Sequence, residues 1–323
     1  MLAASLNATL PIFGLILLGF ILSSSRILER GAEIAFSNYV FYVALPIEIF
    51  LTTLKSSHAL GSGTSDYLQA YGAGIFMLWI LIFILYKIAL KKSTVEIGLN
   101  LVAVGQTNTA FLAAPIFILV LGDSKLVMPI IMFQSVVLTT ISVLVMESST
   151  FSKSESMISF LKKASTIIIK NPLIISALAG ALASQFEPLH HADADYFIFK
   201  IMSLIANTAA PIALMALGIS FCAGPAGASL KDDRNEIITG VLVKNLIHPA
   251  ISFVVGRYFF ELTDLMLFAL VLISAMPSPK NTFIFAQAYD VPVQKYNLIL
   301  LTTTATSFFT INVACYFLIP HLT

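Results

Sequence analysis

Residues 265–287 read LMLFALVLISAMPSPKNTFIFAQ, an apolar run interrupted at its centre by Pro277-Ser278-Pro279-Lys280. A helix crossing about 30 Å of hydrocarbon needs about 20 residues, so the run is long enough to span a membrane. It cannot do so as one unbroken helix, because each proline removes a backbone donor and clashes with the preceding turn. Freed backbone groups at membrane depth persist only against protein or a wet cavity. A second stretch, Gly105-Gln106-Thr107-Asn108-Thr109 with Pro115 beyond it, carries polar residues at a density foreign to hydrocarbon. Both are read as broken helix midpoints that cross each other. The half-helix beginning near Pro279 then aims its free N–H groups and positive dipole end at the crossing, which suits an anion. Candidate contacts for that anion are Gln106, Asn108, Thr109, Pro277, Ser278, Lys280, Asn281 and Thr282. The competing role for the Asn and Thr residues is interhelical packing.

Lys280 is the sharpest single residue. An ammonium at the bilayer centre costs about 2.5–3.5 kcal/mol on insertion scales, so it must be paired or hydrated. It is read as a counter-charge for a substrate carboxylate, or as half of an internal ion pair with Glu48, the interior acid of the run 32–53. Glu48 is also a candidate carrier of a coupling proton. Lys244 and His248 lie one helical turn apart just before Pro249 and share a face. They are read as a proton relay or as packing with a snorkelling lysine.

Composition widens the frame. Of 323 residues, 58% are hydrophobic and 11% charged, with net charge +1. A soluble domain is about 45–50% apolar and about 25% charged. Disorder, a basic nucleic-acid-binding protein and a disulfide-stapled module are therefore excluded. Cys222 and Cys315 sit in apolar runs and read as small hydrophobes. His190-His191-Ala192-Asp193-Ala194-Asp195 lacks further ligands at metal-binding spacing and reads as a solvated loop. No HExxH, GxSxG or P-loop motif is present, so neither an enzyme nor a bound cofactor or metal is expected.

The expected fold is all-α and polytopic. Ten apolar runs lie near 5–24, 32–53, 67–88, 99–120, 126–147, 167–186, 199–223, 237–258, 265–287 and 296–318. With the N-terminus outside, the inner connections hold 12 Lys and Arg residues and the outer ones 4. That split favours both termini outside. The halves echo each other. Pro11 and Gly19 recur as Pro172 and Gly180, Pro46 as Pro211, Asn108-Thr109 as Asn281-Thr282, and Leu138-Thr139-Thr140 as Leu301-Thr302-Thr303. Residues 1–148 are read as a first five-helix repeat, 149–166 as a cytoplasmic linker, and 167–323 as a second repeat. Five is odd, so the second repeat enters inverted, the plan of many secondary transporters. Pro46, Pro211, Pro277 and Pro279 are the expected helix breaks.

Several of these residues together resemble the auxin efflux carrier family of bacterial and plant membrane transporters. They are Leu10-Pro11-Ile12-Phe13, Asn38-Tyr39-Val40-Phe41-Tyr42-Val43-Ala44-Leu45-Pro46, Asn171-Pro172-Leu173, Ala209-Ala210-Pro211, Lys244 with His248-Pro249, and Ala275-Met276-Pro277-Ser278. The resemblance implies ten helices with helices four and nine crossed. It implies a scaffold of helices 1, 2, 6 and 7, and a mobile transport part of helices 3–5 and 8–10. It implies movement of organic anions, auxin in the plant PIN-FORMED branch and malonate or malate in bacterial branches. Homodimers in a bacterial inner membrane are implied too, with proton or sodium coupling open. The chain departs from the plant pattern in carrying Thr107 where a proline precedes Asn-Thr, and in lacking a central charge in span three. Two other readings are a sodium-coupled symporter resembling the bile-acid symporters, and an anion-sensing membrane receptor.

Overall fold

A computed structural model describes residues 2–29, 31–56, 64–148, 172–185, 196–223, 234–280, 282, 285–286 and 289–318. The described residues form helices and no strands. They are α1 (Leu2–Ser24), α2 (Ala32–Leu54), α3 (Thr64–Ala89), α4 (Thr94–Ala103), α5 (Thr109–Leu121) and α6 (Met128–Met146). The second half supplies α7 (Pro172–Ala183), α8 (Phe197–Ser220), α9 (Arg234–Phe259), α10 (Asp264–Ser274) and α11 (Gln294–Leu318). Six of these, α2, α3, α6, α8, α9 and α11, are long and apolar enough to cross a membrane alone. The pattern of exposure is that of a protein in lipid. Phe76, Phe197 and Phe317 face outward, while Gln134, Glu236 and Lys244 are buried. The linker 149–166 and the His190–Asp195 loop lie outside the described residues.

Prolines shape the long helices without ending them. Pro46, Pro115 and Pro249 each follow a wide turn, at Val40–Ala44, Thr109–Ala113 and Val243–Ile247. In each turn the amide just before the proline steps back five residues. Leu45 donates to Val40, Ala114 to Thr109 and His248 to Val243. The widening takes up the missing proline N–H and makes room for the ring. Pro46 is thus a widened turn rather than the break its sequence suggested. Pro211 follows a short turn at Asn207–Thr208 that bends α8 and does not part it. The true interruptions fall between α4 and α5 and after α10.

The two halves carry matching connections. Between α3 and α4, Leu90 and Lys92 donate to Leu85 and Tyr86, Lys91 takes φ 50, and Ser93 caps α4. Between α9 and α10, Phe260 and Leu262 donate to Val255 and Gly256, Glu261 takes φ 47, and Thr263 caps α10. Each element of the second set lies 170 positions after its counterpart. Packing sorts the helices into two groups. One holds α1 against α8 and α2 against α7 and α8; the other holds α4 against α6, and α9 against α3, α10 and α11. The groups meet where α1 touches α11 and α5 touches α8. Glycines set the closest approach, because small residues let membrane helices come together backbone to backbone. A Cβ on Gly218 of α8 would fall on the Ile16 carbonyl of α1, and one on Gly19 would fall on that of Met215.

Candidate functional site

The two interrupted segments touch through main-chain atoms. The Asn108 amide, between α4 and α5, donates to the Pro277 carbonyl beyond α10 at 2.9 Å. Each break is braced by a neighbouring helix. Gln134 of α6 accepts from the Thr107 amide at 3.0 Å and donates to the Thr107 carbonyl at 2.9 Å. One side chain therefore meets both main-chain groups of Thr107, whose carbonyl also accepts from the Thr109 amide at 2.9 Å. Thr303 of α11 accepts from the Ser278 amide at 3.2 Å, and its own carbonyl accepts from Asn245 at 3.0 Å. Gln106 donates to Ser142 at 3.3 Å, so it braces the break as well as lining the site. Gln134→Leu strands the Thr107 amide, while the Thr107 carbonyl keeps the Thr109 amide at 2.9 Å. The expected cost is about 1–3 kcal/mol for that buried unsatisfied group, read as a lower melting temperature.

A cavity of about 450 Å³ opens at this crossing, lined by Gln106, Thr107, Asn108, Thr109, Pro279 and Lys280, with α2 and α6 closing its sides. The buried Nδ2 of Asn108 and Oγ of Ser278 have no hydrogen-bond partner. Thr282 turns back to donate to the Pro279 carbonyl at 2.8 Å, and so caps its own chain. Asn281 lies outside the described residues.

Lys280 enters the cavity paired, but not with Glu48. Its Nζ lies 2.8 Å from Glu33 Oε1 and donates to Ser37 Oγ at 2.8 Å, both on the first turns of α2. It also sits 5.0 Å from the centre of the Phe111 ring. Glu48 lies fifteen residues further along α2 than Glu33, roughly 22 Å at the helical rise of 1.5 Å per residue. It accepts instead from Thr52 and from Ser124, each at 2.8 Å. Lys244 Nζ and His248 Nδ1 are 3.0 Å apart and fully buried in α9, as their shared face requires. Glu48, Lys244 and His248 do not line the crossing cavity.

A family model described as membrane transport protein matches residues 4–315, almost the entire chain. The chain belongs to this family. It is the auxin efflux carrier family that the sequence motifs resemble. One relative in the family, a putative malonate transporter of Rhizobium meliloti (strain 1021), is 24% identical over 310 residues, 94% of this chain and 92% of the relative. An uncharacterized transporter of Methanocaldococcus jannaschii is also 24% identical, over 307 residues, 93% of this chain and 94% of its own. Family and relatives are transporters, not enzymes, and membership makes this an integral membrane transport protein.

Sequence reasoning missed several residues that build this family member's site. Glu33 and Ser37 stand near the end of an apolar run, where a polar side chain draws no notice. Gln134 was findable, as an amide set in hydrocarbon that must meet a polar partner. A charged cluster was missed as well. Lys295 at the start of α11 lies 3.1 Å from both Glu96 of α4 and Glu236 of α9. Lys92 reaches Glu236 at 2.6 Å, and Asn100 donates to it at 3.1 Å. Helix starts that the charge count assigns to one side of the membrane are thus joined at one end of the bundle.

Proposed function

We propose that the chain is a secondary transporter of small organic anions that works by alternating access around the helix crossing. The observation that carries this reading is Lys280, a cation held at the junction of two interrupted helices in a cavity of about 450 Å³. That is ample room for a small carboxylate, since drug-sized sites run about 300–1,000 Å³. The matched connections 170 positions apart support ten crossings arranged as a 5+5 inverted repeat, with α4–α5 and the α10 segment as crossed spans four and nine. The packing supports the division of labour. Helices α1, α2, α7 and α8 form the scaffold, and α3–α6 with α9–α11 form the part that moves. A homodimer in a bacterial inner membrane, with both termini outside and no bound cofactor, completes the proposal.

Proteoliposomes given labelled malonate, malate and indole-3-acetate test it. Malonate belongs in the panel because the Rhizobium meliloti relative is named for it. Saturable flux of at least one acid is the expected result. Binding without flux favours a receptor and overturns the transport reading. Flux that vanishes without sodium moves the protein to the sodium-coupled class.

A further inference from the structure

The crossing cavity already contains a carboxylate. Glu33 Oε1 sits 2.8 Å from Lys280 Nζ, the separation of a charge-assisted hydrogen bond. It occupies the place that an oxygen of an incoming acid would take. Among the described residues lining the cavity, Glu33 and Lys280 are the charged ones, and Tyr42 is the other titratable group. The part of α8 packed on the start of α2, Ala209–Ser220, carries no ionisable residue, and neither does α5. Tyr39, on the same turns of α2, is engaged with Thr208 at 2.7 Å. The described lining is therefore neutral as it stands. A monoanion entering beside Glu33 would place two carboxylates on one ammonium in a poorly hydrated site. Carboxylates so placed hold a proton between them.

We propose that Glu33 is a built-in competitor for Lys280, so that each carboxylate bound at the crossing brings one proton with it. Water supplies the proton to the Glu33 carboxylate, and Lys280 stays an ammonium. Its Glu33 contact is exchanged for the incoming oxygen, and for a monocarboxylate the net charge of the cavity is unchanged. Glu33 is the partner built to leave. Its side chain is 28% exposed against 8% for Lys280, and it stands on the first turn of α2, two residues after Gly31 at φ 99. The exchange rests on the anion-binding role given to the crossing under the proposed function. It assigns the coupling proton to Glu33, not to Glu48 or His248.

The test uses the full-length protein in lipid nanodiscs and a panel of mono- and dicarboxylates including malonate, above the pH range in which the acids themselves titrate. For the wild type, affinity is expected to fall about tenfold per pH unit, the signature of one linked proton. Adding the acid to a weakly buffered sample should remove about one proton per site, a measurement that needs no variant. Glu33→Gln should bind more tightly than wild type at alkaline pH, with no pH slope and no proton uptake. A Glu33→Gln protein with the wild-type slope overturns the exchange, and so does a wild type that binds without taking up protons. Tight, proton-linked binding with no flux in liposomes removes the transport reading and leaves the exchange standing. No binding of any acid to either protein overturns both.

Discussion

Lys280→Gln is expected to lower carboxylate uptake by about a hundredfold or more. A hydrogen bond to a charged group contributes about 1.5–3 kcal/mol. Two unit charges 4 Å apart attract by about 4 kcal/mol at the effective dielectric of a protein surface. Losing even about 2.8 kcal/mol of this costs two powers of ten in affinity. Glutamine is one heavy atom shorter than lysine but keeps a neutral N–H donor, while Glu33 keeps access to water through its exposed edge. The variant should therefore fold, with the loss confined to binding and flux. Initial rates in proteoliposomes, set beside the melting temperature of the same preparation, separate the two. Uptake at the wild-type rate from a well-folded Lys280→Gln protein would remove the lysine from the site.

Gly218→Val should act on the fold instead. Its side chain would have to occupy the space of the Ile16 main chain, where α1 and α8 lie against each other. Backbone cannot shift aside as a side chain end does, so the helices must separate along their contact. Overpacking of this kind costs about 1–3 kcal/mol and more where nothing can yield. The expected result is a melting temperature lower by many degrees or a failure to recover monodisperse protein. Gly14→Ala on the same helix is the contrast. A Cβ there meets nothing within 4 Å, and removing a helical glycine stabilises by about 0.5–1 kcal/mol. Equal melting temperatures for Gly218→Val and wild type would show that α1 and α8 do not pack as described.

The sequence carried the crossing because its causes are local. Two prolines around Ser278 and four polar residues ending at Thr109 each state that a helix cannot continue there. That the two breaks bond to each other is a long-range fact. It was reached only through the weak internal repeat and the cost of leaving backbone bare. The pairing of Asn108 with Asn281 drawn from that repeat differs by three positions from the register of the connections, which sets Asn108 beside Ser278. The partner of Lys280 was out of reach for a different reason. Periodicity says which face of α2 turns inward but not which level along its axis meets the break. Glu48 was chosen for its central position, whereas the break stands level with the first turn. Lys244 and His248 were placed correctly relative to each other, since one helical turn fixes that. Their distance from the crossing could not be read from spacing alone.

The tie between the two breaks joins an amide to a carbonyl and uses no side chain. Wall side chains other than the bracing Gln134 can therefore change without undoing that bond. Asn108 and even Lys280 are free to drift while the architecture endures, so a lineage built on this joint can reshape its chamber one substitution at a time. Transporters that share only a quarter of their residues can then keep one joint while their chambers diverge.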